Sequence, residues 1–131
     1  MLSDTLQDSD YKSIINNLVQ HLEKRGYQHI KADLDEYETP SKLTRKGSKE
    51  SFIPNLTASK DDGSKYYFEI VTKDKQNQDK LISKWSMLSV FAEMRDGKLF
   101  LVVPNGKLRY TNRLLKENEQ INADILQLKN L

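Results

Sequence analysis

Apolar residues at steps of three and four open the chain: Tyr11, Ile14, Ile15, Leu18, Val19 and Leu22. That spacing places them on one face of a helix starting near Asp10. Lys24 and Arg25 fall in its last turn, and Gly26 supplies the stop. Residues 27–37 alternate weakly through Tyr27, His29 or Ile30, Ala32 and Leu34, a strand pattern. Residues 38–49 hold Pro40, Gly47 and many charges and read as a loop.

Two further runs, at about 51–58 and 65–72, flank Asp62-Gly63 and predict a hairpin. The second is apolar on both faces, with Tyr66, Phe68 and Ile70 on one and Tyr67 and Val71 on the other. A strand of that kind belongs in the middle of a sheet covered by helices. Leu81, Trp85, Leu88, Phe91 and Ala92 mark a second helix over about 77–95, ended by Asp96-Gly97. Leu99 to Val103 is a continuous apolar strand closed by Pro104. Residues 107–117 predict a third helix, with a hairpin through Asn105-Gly106 as its competitor. Residues 123–128 predict a last strand. The resulting order is α-β-β-β-α-β-α-β, an α/β (α+β) fold with a mixed central sheet flanked by helices.

Length changes this picture little: 131 residues form one domain, 1–131, with residues 1–8 frayed. No apolar run approaches the roughly 20 residues that span a bilayer, so no membrane partner is expected. The first residues lack a basic patch followed by an apolar stretch, so no signal peptide is expected. A cytoplasmic location fits this and the absence of cysteine, which also excludes disulfides, thiol catalysis and thiolate zinc sites. Net charge is only +2, which argues against a strongly nucleic-acid-coating protein, but the cations are unevenly spread. Lys42, Arg45, Lys46 and Lys49 crowd one loop, a solvated surface or a phosphate-contacting patch for nucleic acid. The oligomeric state stays open, a homodimer included.

The candidate chemistry lies in 51–73. Pro54-Asn55 opens one strand of the hairpin, and Glu69 interrupts the apolar run of the other. A carboxylate there needs a partner or a raised pKa. His21 and His29 make no metal pair at helical spacing. Asp33, Asp35, Glu36 and Glu38 read as an exposed acidic strand end.

Ile53-Pro54-Asn55-Leu56, Phe68-Glu69-Ile70-Val71, Lys84-Trp85 and the Phe100 to Pro104 strand, in this element order, resemble the PD-(D/E)xK nuclease superfamily. The resemblance is to small stand-alone prokaryotic members and implies a restriction-endonuclease-like fold. In that superfamily an Asp after Pro and the Glu of the next strand hold divalent ions, and a Lys two residues on orients water. The physical basis is that hard carboxylate oxygens hold Mg²⁺, which polarises phosphate and acidifies water. Carried over, Glu69 is a metal ligand and catalytic residue, Asn55 stands at the Asp position and Val71 at the Lys position. Lys73, on the same strand face as Glu69, and Lys84, on the second helix, are the lysines able to replace Val71. Some members add an acidic residue on the first helix, which raises Glu23. The expectation is a degraded Mg²⁺ site that binds or weakly cleaves nucleic acid, or a non-catalytic binding module on the same fold.

Overall fold

The computed structural model describes residues 8–47, 49–72 and 78–131. Five strands form one mixed sheet in the order β1-β4-β5-β6-β7, namely Gln28–Ala32, Leu56–Ser59, Lys65–Ile70, Leu99–Val103 and Ala123–Gln127. The pairs β1/β4 and β4/β5 are antiparallel, whereas β5/β6 and β6/β7 are parallel. The parallel half follows from its connections: helices α2 (Gln78–Met94) and α3 (Leu108–Glu117) each return the chain to the same sheet end.

The two sheet faces have separate cores. Helix α1 (Asp8–Lys24) lays Ile14, Ile15, Leu18, Val19 and Leu22 on the face carrying Ala32, Leu56, Ala58, Phe68 and Ile70. Phe68 stacks on Phe100 there, with ring centroids 5.2 Å apart. The opposite face carries Tyr67, Val71, Leu99, Leu101 and Val103 under Trp85, Leu88 and Ala92 of α2 and Tyr110 and Leu114 of α3. Each fully buried Leu or Phe contributes roughly 1.5–3 kcal/mol. Because β5 is covered on both sides, its run is apolar on both faces, and Glu69 is its one buried charge. Among the described residues no helix is long and apolar enough to cross a membrane.

The architecture is the mixed α/β arrangement expected, with differences of detail. The strand expected over 51–58 is broken. Pro54 has no N–H to give a ladder and biases Ile53 away from helical backbone. The chain therefore leaves one ribbon and enters another. Ser51–Phe52 (β3) pairs with Leu43–Thr44 (β2) in a separate two-stranded ribbon, and only Leu56–Ser59 joins the main sheet. The expected loop over 38–49 thus contains a strand. The element order accordingly has two more strands than expected. Residues 107–117 form a helix, not a hairpin arm. Strand β6 already has parallel neighbours on both sides, and Tyr110, Thr111 and Leu114 fit a helical buried stripe.

Strand β1 is irregular. Gln28 faces Ser59 and Lys31 faces Thr57, so three steps on β1 match two on β4. His29 sits in this bulge with φ 50°. At the end of α2, Asp96 adopts φ 58° while the Asp96 and Gly97 N–H groups donate to Glu93 O and Ala92 O. That is a Schellman stop with Asp where Gly is usual. Gly97 is needed one position later, because a Cβ there would lie 1.6 Å from the carbonyl oxygen of Lys65.

Candidate functional site

Register brings Asn55 and Glu69 together. Leu56 pairs with Phe68 across β4/β5, so the next step outward sets residue 55 opposite residue 69. Pro54 ends the regular ladder at that point, which leaves the Asn55 backbone N–H pointing at a side chain. It donates to Glu69 Oε2 at 2.6 Å. The Asn55 carboxamide turns the other way, and its Oδ1 accepts the Ile70 N–H at 2.8 Å. Asn55 thus substitutes a side-chain acceptor for a missing main-chain one at the strand end.

Helix α2 closes the other side. Lys84 Nζ lies 2.8 Å from Glu69 Oε1, with Lys84 18% exposed and Glu69 2%. Lys84 reaches this position because it flanks the buried stripe of α2 beside Trp85. Its stem lies along the helix–sheet interface and its ammonium meets the only buried carboxylate of β5. Burial pushes the Glu69 carboxyl above the usual range, and Asp33 adds to that; Lys84 and the Asn55 N–H oppose it without cancelling it.

Two neighbours complete the arrangement. Asp33, just past β1, donates its N–H to Asn55 O at 2.9 Å. Tyr11, in the first turns of α1, donates its hydroxyl to Asp33 O at 3.1 Å. Burial, together with the charges of Asp33 and Glu69, pushes the Tyr11 phenol far above its ordinary value, against the Asn55 carboxamide. Tyr11 therefore serves as a neutral donor throughout the physiological range.

The structure thus gathers Asn55, Glu69 and Lys84. Lys73 lies outside the described residues. Glu23 is exposed in the last turn of α1, twelve residues and roughly 18 Å along the helix from Tyr11. The α1 residue at the site is Tyr11, which its apolar-stripe spacing disguises as a core position. Asp33 was hidden differently, as one of four acids at a strand end.

The donor set as it stands does not fit a divalent cation. Glu69 Oε1 is held by an ammonium and Oε2 by a backbone N–H, while Asn55 Oδ1 is engaged by Ile70 N–H and has no formal charge. An ion would have to displace Lys84 to reach Oε1. Among the described residues, no three His, Asp or Glu side chains converge as a metal cage. What the arrangement does offer is a buried ion pair with an uncharged phenol and an exposed carboxylate beside it. The patch residues Lys42, Arg45, Lys46 and Lys49 lie exposed around the β2/β3 ribbon, which a Ser83 Oγ to Glu50 Oε2 bond of 3.0 Å ties to α2. The chain matches no protein-family model and no curated protein at a significant level of similarity.

Proposed function

We propose that this chain is a nucleic-acid-binding domain of restriction-endonuclease-like ancestry, in which the Lys84–Glu69 ion pair stands where a nuclease would hold its metal. The observation that carries the reading is the buried Glu69, whose two oxygens are engaged by Lys84 and by the Asn55 backbone. Ionising a carboxyl in that position opposes stability, since its pKa is raised. A group retained against stability points to a site, present or ancestral, more than to a scaffold. The closed pair also favours binding over catalysis, because neither oxygen is free for an ion. Phosphate contact would come from Lys42, Arg45, Lys46 and Lys49, all exposed.

The test is fluorescence anisotropy with labelled single-stranded and duplex oligonucleotides over a salt series. Binding that weakens with salt is expected. Replacing the four cations by Gln should flatten the log K against log salt slope by up to roughly 3.6 for duplex DNA, at about 0.9 per phosphate contact. A wild-type chain that retains no oligonucleotide at low salt ends the reading.

A second reading, weak Mg²⁺-dependent cleavage, is favoured by one observation. The main chain of Asp33 is tied to the site, its N–H donating to Asn55 O at 2.9 Å, so a second, exposed carboxylate stands in the neighbourhood of Glu69. It keeps Glu69, Asn55 and Lys84 or Lys73 in the roles the resemblance implies, and it requires Lys84 to release Oε1. Plasmid nicking with Mg²⁺ or Mn²⁺ that disappears in Glu69→Ala would establish it. No product from the wild type retires it.

A further inference from the structure

The face of the sheet that carries Glu69 also carries Lys65 and Tyr67, at alternate positions of β5. Lys65 lies four residues, roughly 13 Å, from Glu69 at the opposite strand end. There α2 ends and the face is open. A cavity of about 370 Å³ remains between the β1 bulge, the β4–β5 turn and the end of α2, lined among others by His29, Lys31, Lys60, Lys65, Asp61 and Arg95.

We propose that this cavity binds a phosphoryl group, with Lys65 and Arg95 as its principal contacts. Charge supports it first. Lys31 is answered by Glu38 at 2.9 Å, and the Lys60 ammonium stands over the Tyr27 and Tyr66 rings at 4.9 and 5.0 Å. Asp61 is bonded by Gln28. Among the described residues, Lys65 and Arg95 have no carboxylate partner, the Lys65 ammonium lying 5.6 Å from the centroid of the Tyr67 ring.

Their juxtaposition is built by the main chain. Lys65 N–H donates to Arg95 O at 3.2 Å, and Tyr67 N–H to Lys98 O at 3.0 Å. Gly97 rests directly on the Lys65 carbonyl, in a space that no Cβ could enter. Asp96 adopts a left-handed backbone so that the glycine falls at that position. Two like charges are therefore held side by side on rigid elements, and among the described residues lining the cavity Asp61 is the one carboxylate against four cations, Lys31, Lys60, Lys65 and Arg95. Burial first, then the charges of Arg95 and Lys31, depress the Lys65 ammonium. The carbonyls at the α2 terminus would repel an anion, but those of Ala92, Glu93 and Arg95 are each capped by an N–H. Arg presents a planar fork and Lys a point charge, a pairing suited to phosphoryl oxygens.

The identity of the phosphoryl donor rests on the nucleic-acid reading; the anion site itself does not. If that reading holds, the phosphoryl group bound here belongs to a nucleic-acid backbone.

The experiment compares wild type with Lys65→Gln/Arg95→Gln, using pyrophosphate and a labelled single-stranded oligonucleotide as probes. Removing repelling charges should leave the melting temperature equal or higher, so loss of folding is not a confounder. Pyrophosphate should shift the amide resonances of His29, Lys65 and Arg95 in the wild type and leave them unmoved in the variant. Oligonucleotide affinity should fall about tenfold or more at low salt, with a salt slope shallower by roughly 1.4, at about 0.7 per contact for single strands. Lys65→Arg should retain binding. Pyrophosphate shifts without any oligonucleotide binding would uphold the site, assign it to a small phosphorylated molecule and end the nucleic-acid reading. Unchanged oligonucleotide affinity and slope in the variant, without pyrophosphate shifts, would overturn the site and leave that reading intact. Silence from both probes would overturn both.

Discussion

Asn55 meets Glu69 through its backbone, not its side chain: the amide N–H donates 2.6 Å to Oε2 while the carboxamide turns to Ile70. Lys84 takes the remaining oxygen. The pair at the centre of this protein is therefore asymmetric. Glu69 is sealed in, whereas Lys84 keeps a path to water.

That asymmetry sets the first expected outcome. Lys84→Met strands a carboxylate inside the core and should cost about 3 kcal/mol at neutral pH. Glu69→Gln leaves an ammonium that can still reach solvent, and should cost little or be stabilising. The double variant should recover most of the Lys84→Met loss. Urea unfolding of all four proteins measures the coupling; a Glu69→Gln loss as large as the Lys84→Met loss would contradict the asymmetry.

The pH dependence has a definite sign. The native Glu69 pKa is raised above its ordinary 4.5. Below 4.5 the group is protonated in both states, and its contribution is fully present. As pH climbs from there through the raised value, the unfolded chain ionises first and stability is lost. Wild-type stability relative to Glu69→Gln should therefore fall with rising pH. Lys84→Met removes the main opposing cause and should extend the fall to higher pH. A relative stability that rises over this window would reverse the assignment.

Asn55→Asp keeps the acceptor for Ile70 N–H and adds a charge beside Glu69. In the absence of a divalent cation it should lower stability by about 1–2 kcal/mol, since two carboxylates now share the site. Millimolar Mg²⁺ should restore part of the loss, while wild type stays insensitive. Melting curves with and without Mg²⁺ decide this, and a variant that ignores the ion would show that position 55 cannot complete a metal site.

The fold was legible where periodicity was long. The stripe Ile14–Leu22 and the two-faced run of β5 both declare their partners, because each must be covered by an apolar surface. The break at Pro54 was legible in principle, yet the strand signal of Ser51-Phe52 on one side and Leu56 to Ala58 on the other concealed it. Period-2 patterns do not record which sheet a strand joins. At the site, Glu69 stood out as a charge in an apolar run. Tyr11 and Asp33 did not, because a phenol in a helix stripe reads as core and one acid among four reads as solvent.

Two changes at the α2 stop test its geometry. Gly97→Ala forces a methyl against the Lys65 carbonyl and should destabilise by at least about 2 kcal/mol. Asp96→Gly relieves a left-handed backbone and should stabilise by roughly 0.5–1 kcal/mol. Equal melting temperatures for Gly97→Ala and wild type would show that this turn is not packed as described.

Of the five bonds running from Tyr11 to Lys84, four use a main-chain atom: Tyr11 to Asp33 O, Asp33 N–H to Asn55 O, Asn55 N–H to Glu69, and Ile70 N–H to Asn55. Only the Asp33–Asn55 bond is main chain at both ends; the other three each need one particular side chain, the Tyr11 hydroxyl, the Glu69 carboxylate or the Asn55 carboxamide. Each of those side chains spends its polar atom on a neighbouring strand or loop, so the circuit staples α1, the β1 exit and the β4–β5 edge into one unit that a single substitution can open.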